Sequence, residues 1–84
     1  SMPANPFAKT PKVVVTFAST ADAIAMESDA QAYGLPGRIV PVPSEIDAGC
    51  GLAWCCDAAD REKLVAGLKE FGIVHEGVFA VELY

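Results

Sequence analysis

The chain has few basic residues. Lys and Arg number 6, whereas Asp and Glu number 11, and the formal net charge is −5. Proteins that bind nucleic acids or anionic membranes use clustered Lys and Arg side chains to contact phosphate groups. Because this sequence has no basic stripe, we expect neither a nucleic acid nor a membrane as its partner.

Long hydrophobic runs are also missing. A membrane-spanning helix needs about 20 consecutive apolar residues, and a signal peptide places an apolar segment behind a basic start. Neither pattern occurs in the sequence. The 3 cysteines are too few, and odd in number, for the disulfide framework of a small secreted protein. We therefore expect a cytoplasmic protein with reduced thiols.

The composition is that of one small folded domain. The chain has 84 residues, of which 52% are hydrophobic, and both values suit a single globular unit. Residues 1–11 are rich in proline and lack periodicity, so we predict a disordered tail that starts with a cloning scar, Ser1-Met2. The domain is expected over residues 12–84. A chain this short buries only about 60% of its unfolded surface, so association would help it.

Hydrophobic periodicity and capping residues predict the element order βαββαβ. Pro41 and Pro43 mark the second strand as an edge strand, since proline cannot donate to a ladder. The order predicts an α+β, ferredoxin-like sandwich, in which a four-stranded antiparallel sheet carries both helices on one face. The predicted elements are strands at 13–17, 38–42, 52–56 and 78–83, a helix capped by Ser19 and ended by Gly34, and a helix capped by Asp57 or Asp60 and ended by Gly72.

This topology gathers three features at one end of the sheet: the start of the first helix, the loop after the second strand, and the start of the last strand. A helix N-terminus stabilises a nearby anion, and it or a protonated histidine would favour the thiolate of a cysteine beside it. The candidate site residues are therefore Cys50 as the reactive thiol, Gly49 and Gly51 as the bare backbone that leaves the sulfur accessible, His75 as a thiolate stabiliser, and Ser19 and Thr20 as an anion-binding helix start.

Each of these assignments has a structural alternative. Glycines on both sides of Cys50 also suit a turn that needs positive φ, and a lone cysteine is often only a small hydrophobe. Cys55 and Cys56 are adjacent in a predicted strand, so they point to opposite faces and make a poor pair for one metal or an ordinary disulfide. No zinc-site spacing is present. We therefore expect no metal and no cofactor.

The segment VVTFASTADAIAMESDAQAYGLPGRIVPVPSEIDAGCGLAW resembles the family described as Putative Se/S carrier protein-like. The shared features are Phe17, Ser19, Ala23, Glu27, Gly34, Pro41-x-Pro43 and Cys50-Gly51. The resemblance implies that Cys50 carries sulfur or selenium as a persulfide or selenopersulfide, more as a carrier than as a stand-alone enzyme. It also implies a cysteine desulfurase, or another donor and acceptor protein, as partner. The sequence departs from the family pattern at Leu35-Pro36-Gly37 and at Cys55-Cys56, where a basic residue is expected nearby.

A second hypothesis is a non-catalytic, ACT-like module that binds a small ligand or dimerises. Such domains share the βαββαβ order and pair through their sheets. The apolar outer face that we predict from Val78 and Ala80 would suit a homodimer through the sheet. A metallochaperone of similar fold is not favoured, because no M-x-C-x-x-C motif follows the first strand.

Overall fold

A computed structural model describes residues 8–84 of the chain. The strands follow the order β2-β3-β1-β4, and all neighbouring strands are antiparallel. This arrangement confirms the α+β, ferredoxin-like fold. Within the described residues, no helix is long and apolar enough to cross a membrane. The elements are β1 Thr10–Thr16, α1 Thr20–Tyr33, β2 Arg38–Pro41, β3 Leu52–Asp57, a 3-10 turn Ala58–Asp60, α2 Arg61–Glu70 and β4 Val78–Leu83.

Two apolar clusters lie on the two faces of the sheet. The continuous valine run of β1 supplies both, because alternate side chains point to opposite faces. The helix-side core consists of Val13, Val15, Phe17, Ala23, Met26, Ala30, Cys50, Trp54, Cys56, Leu64, Leu68 and Ile73. The open-face cluster consists of Val14, Ile46, Ala53 and Cys55.

Helix α1 begins and ends at the predicted residues. The hydroxyl oxygen of Ser19 accepts a hydrogen bond from the Asp22 backbone N–H at 3.2 Å, which is the geometry of an N-cap. Gly34 adopts the left-handed conformation with φ of 69°, and its N–H bonds the carbonyl of Ala30. The Ser19 cap therefore fixes the start of α1 close to the end of β1, where the candidate site lies.

The two predicted cap residues stand at N-cap positions, Asp57 before the 3-10 turn and Asp60 before α2, but without the predicted side-chain bonds. Neither Asp57 nor Asp60 makes a side-chain hydrogen bond to the start of the following helix. Asp57 instead forms an ion pair with Lys12, because the register of β1 and β3 places these two residues opposite each other. A partner across the sheet has replaced the local one.

The first strand begins earlier than predicted. Thr10 and Pro11 belong to β1, since they pair with Leu83 and Glu82 of β4. The predicted tail over residues 1–11 therefore does not hold for these two positions. Residues 1–7 of that tail, with the Ser1-Met2 scar, lie outside the described residues.

The side of β4 that faces outward is the reverse of the prediction. Val78 pairs with Val15 and packs against the helix-side core, and Ala80 shares its face. The register with β1 decides this, because paired residues project to the same side of a sheet. The open face instead receives Phe79, Val81 and Leu83. Phe79 stays 40% exposed there.

Candidate functional site

The ends of β1 and β2 and the starts of β3 and β4 meet at one end of the sheet. The pairs Thr16 with Ala53 and Pro41 with Leu52 define this end, which we call the Cys50 end. Helix α1 begins here at Thr20. The Cys50 loop, residues 42–51, joins β2 to β3 at the same place.

The sulfur of Cys50 contacts the start of α1. Its Sγ lies 3.7 Å from the Thr20 hydroxyl oxygen, and the Leu52 backbone N–H donates to the same sulfur at 3.4 Å. The topology therefore brings Thr20 and Cys50 together, as the sequence predicts. The sulfur of this core residue therefore has two hydrogen-bonding partners.

The expectation of an exposed thiol is wrong for this structure. Cys50 is only 4% exposed and belongs to the helix-side core. The physical reason is that a cysteine behaves as a small hydrophobe, and its sulfur finds hydrogen-bonding groups at the core edge. The flanking Gly49 and Gly51 are exposed instead.

The other two predicted site residues, Ser19 and His75, form hydrogen bonds with groups other than the Cys50 sulfur. Ser19 uses its hydroxyl to cap α1, and its contact is with Asp22 rather than with Cys50. His75 is half-buried, and its Nδ1 lies 2.8 Å from the carbonyl oxygen of Ile73. No hydrogen bond or ion pair among residues 8–84 joins His75 to Cys50.

The glycines of the Cys50 loop are not required by the backbone. Positive φ occurs only at Gly34, Gly37 and Gly72 within the described part of the chain, so the interpretation of a positive-φ turn around Cys50 is wrong. A Cβ at Gly51 would meet nothing within 4 Å, and one at Gly49 would meet only the Ala18 carbonyl oxygen, at 3.9 Å. The observed conformation would accept larger residues at both positions.

Cys55 and Cys56 lie near the opposite end of the sheet, on opposite faces as predicted. Burial raises the pKa of the Cys55 thiol and outweighs the opposing influence of Lys12 and Arg38. Burial, assisted by the negative charge of Asp60, raises the pKa of Cys56 to about 11. Both groups are therefore protonated thiols at neutral pH, and weak nucleophiles.

A cavity of about 230 Å³ adjoins these two cysteines. Its walls carry both signs of charge, since Lys12 and Arg38 stand beside Asp57 and Asp60. Within residues 8–84, no group of three His, Cys, Asp or Glu side chains could hold a metal ion. The cavity therefore offers neither a metal site nor a surface of one charge.

Ile46 is a further residue of this region, which the sequence pattern did not predict. This residue is 9% exposed and packs with Val14, Ala53 and Cys55 on the open face. The available signal was its position: it is the one large apolar residue between Pro43 and Cys50 in an otherwise polar or small-residue stretch. It fixes the middle of the loop that carries Cys50.

Comparison with known families identifies the chain. Residues 12–80 match the family described as Putative Se/S carrier protein-like. The protein belongs to this family. The match runs from β1 into β4 and includes Thr20 and Cys50, so the resemblance read from the sequence is confirmed. No curated protein and no solved structure matches the chain.

Proposed function

We propose that this protein carries a sulfur or selenium atom on Cys50, as a persulfide or selenopersulfide. The observation that supports it best is the pair of groups at one sulfur: the Thr20 hydroxyl and the Leu52 N–H both contact Cys50 Sγ. The family's description, which names Se/S carriers, supports the same cargo. A carrier needs one thiol that exchanges and little further machinery.

The loading step is a thiol exchange without net oxidation. The Cys50 thiolate attacks the outer sulfur of a donor persulfide, a new S–S bond forms, and the donor's own S–S bond breaks. The electron pair of that bond leaves with the donor cysteine, which takes up the proton that Cys50 gives up. With selenium as the outer atom, an S–Se bond forms and an S–Se bond breaks. Delivery to an acceptor thiol repeats the exchange in the outward direction.

The start of α1 supplies the stabilisation of negative charge. After loading, the negative charge lies on the outer sulfur or selenium, which is bonded to Sγ, and hydrogen-bond donors at a helix N-terminus favour an anion beside them. Thr20 stands at the first helical position and points its hydroxyl at Cys50 Sγ. Ser19 contributes indirectly, because its cap fixes where α1 begins. His75 has no contact with the sulfur in this structure and is not assigned a role.

The properties of Cys55 and Cys56 support Cys50 as the one cysteine that carries the sulfur or selenium atom. The raised pKa values of Cys55 and Cys56 lower the thiolate fraction of both below that of an ordinary thiol, and the thiolate is the form that attacks a persulfide. The three cysteines are unpaired, which suits a reducing, cytoplasmic setting. The partners are a persulfide donor such as a cysteine desulfurase and an acceptor thiol.

The test is loading by a purified cysteine desulfurase with cysteine as substrate, followed by mass spectrometry of the intact chain. We expect a mass increase of one sulfur atom on the wild type and none on Cys50→Ser. Cys56→Ala is the matched control and should load normally. Selenocysteine as substrate tests the selenium arm. A wild type without the added sulfur, or an adduct that persists on Cys50→Ser, would refute the proposal.

A second candidate, an association module, is favoured by one observation. Phe79 is 40% exposed on the open face of the sheet, beside the partly buried Val81 and Leu83. Contiguous apolar surface marks association sites, and these three residues share one face of the sheet. Size-exclusion chromatography over a range of concentrations tests it, and Phe79→Ser should abolish a dimer that forms through this face.

A further inference from the structure

The Cys50 loop is held on both faces of the sheet. Its middle residue, Ile46, packs in the open-face cluster, with the partly buried Val42 and Ala48 of the same loop beside it. Its last side chain, Cys50, packs in the helix-side core. The loop therefore wraps around the end of the sheet. If either side chain left its cluster, the other would be held less firmly in its own.

Few hydrogen bonds help to hold the loop beyond the two contacts at Cys50 Sγ, with the Thr20 hydroxyl and the Leu52 N–H. The loop's backbone bonds are internal: Val42 N–H donates to the Gly51 carbonyl at 3.1 Å, and Ile46 N–H donates to the Pro43 carbonyl at 3.0 Å. No backbone hydrogen bond joins residues 43–50 to the rest of the described chain. Segments with so few anchors open locally at a free energy below that of global unfolding.

The closed conformation does not require the glycines on either side of Cys50. Neither Gly49 nor Gly51 has positive φ, and neither position lacks room for a Cβ. Glycine costs conformational entropy in a fixed loop. Its benefit is freedom at a segment that changes its backbone angles.

We infer that the Cys50 loop opens as a unit while the sheet remains folded, and that Ile46 is the positioning residue that holds it closed. Opening withdraws Ile46 from the open-face cluster and turns Cys50 outward between its two glycines. The Val42–Gly51 hydrogen bond keeps the base of the loop in place. This inference deepens the proposed function, because a donor cannot reach a sulfur that is 4% exposed.

The experiment measures the alkylation rate of each cysteine with iodoacetamide at neutral pH, by peptide mapping of the full chain. Cys56 is the internal reference, because it lies in a strand and away from the Ile46 cluster. In the wild type we expect Cys50 to react more slowly than a free thiol, because the loop is closed most of the time. It should still react faster than Cys56 does.

Ile46→Ala should raise the rate at Cys50 by at least about tenfold, since the loss of a buried aliphatic side chain weakens the closed state. Unfolding of the whole domain also exposes Cys56, so its rate should rise by no more than the loss of global stability that urea unfolding measures. Low concentrations of urea should accelerate alkylation of Cys56 more than that of Cys50, since opening a loop exposes less surface than unfolding the sheet. Ile46→Val keeps most of the contact and should restore a rate near that of the wild type at Cys50.

Gly51→Ala is the second variant, because it introduces no clash in the closed loop. Alanine restricts the backbone, and we expect roughly two- to fivefold slower alkylation of Cys50. This variant keeps the test informative if Ile46→Ala does not fold. Circular dichroism and urea unfolding establish that each variant is folded.

Two results would overturn the inference. In the first, Cys50 and Cys56 react at one common rate in every folded variant, so that only global unfolding exposes Cys50. In the second, wild-type Cys50 reacts as fast as a free thiol. Persulfide loading is measured separately, with glutathione persulfide as the donor. A loop that opens over a Cys50 that never loads would refute the carrier proposal alone.

Discussion

Cys50 and Cys56 are almost equally buried, at 4% and 5% exposure, but they are held in different ways. Cys56 lies in a central strand, where it pairs with Val13 of β1 and follows Cys55, which pairs with both neighbouring strands. Cys50 lies in a loop without backbone hydrogen bonds to the rest of the described chain. Exposing Cys56 requires that the sheet open, whereas exposing Cys50 requires only that a loop move. Burial alone therefore does not separate a reactive from an inert thiol; the free energy of local opening does.

The glycine near the strand cysteines and the glycine beside Cys50 differ in how closely they are packed. Gly37, near Cys55, has φ of 122°, and a Cβ there would overlap the Trp54 indole nitrogen and the Cys55 carbonyl oxygen. Packing therefore requires glycine at that position. Gly51 beside Cys50 has open space around it. Neighbouring atoms therefore exclude a side chain at Gly37 but not at Gly51.

The largest expected effect is a loss of stability caused by a substitution near the strand cysteines. Gly37→Ala should lower the free energy of unfolding by about 3 kcal/mol, because a clash and a disfavoured backbone angle act together. Gly51→Ala is the matched control, and its effect should stay within about 1 kcal/mol. Urea unfolding measures both. Equal destabilisation by the two substitutions would contradict the contrast between the regions.

The second effect is a loss of stability at alkaline pH. The pKa of Cys56 is about 11 in the folded chain and about 8.5 when unfolded. Because the folded pKa is raised, its contribution is complete below about pH 8.5 and is lost as pH rises toward 11. We expect a fall on the order of 1–2 kcal/mol across that interval. Urea unfolding against pH should show a smaller fall in Cys56→Ala, and an unchanged profile would argue against the buried thiol.

Third, Thr20→Val should weaken the Cys50 site without affecting the strand cysteines. The substitution removes the hydroxyl that contacts Cys50 Sγ and keeps the shape of the side chain. A hydrogen bond to an anion is stronger than one to a neutral thiol by about 1 kcal/mol, so the yield of persulfide at equilibrium with a glutathione persulfide donor should fall roughly fivefold. Thr20→Ser keeps the hydroxyl and should load nearly normally. Identical yields from all three chains would exclude a role for Thr20.

The smallest effect concerns the ion pair of Lys12 and Asp57. The Lys12 ammonium, by its hydrogen bond and its charge, holds the pKa of Asp57 below its usual range. Because the folded pKa is lowered, its stabilisation is complete above about pH 3.9 and is lost as pH falls through the folded pKa. The Asp57 side chain is 65% exposed, so Asp57→Asn should cost less than about 1 kcal/mol. Unfolding in high salt should remove the difference, and a larger, salt-independent cost would indicate another role.

Local signals in the sequence predict the elements and the end of the sheet where the candidate site lies. Ser19 and Gly34 act on residues within one helical turn, so their effects can be predicted without knowledge of the fold. The convergence of Thr20 and Cys50 follows from the element order, because the order fixes which ends of the strands meet. These predictions need no information about long-range contacts.

The wrong predictions depend on contacts between distant parts of the chain. The Asp57 side chain bonds Lys12, a residue 45 positions earlier, instead of capping a helix. The side of β4 that faces outward follows from its register with β1. The burial of Cys50 depends on how the loop folds over the sheet edge, which Ile46 helps to fix. No local pattern contains these contacts.

The most direct measurement is the position of the sulfur that the wild-type chain accepts from glutathione persulfide at neutral pH, determined by peptide mapping. The account predicts one added sulfur on Cys50 and none on Cys55 or Cys56. An even distribution over the three cysteines, or an adduct confined to the strand cysteines, would contradict it.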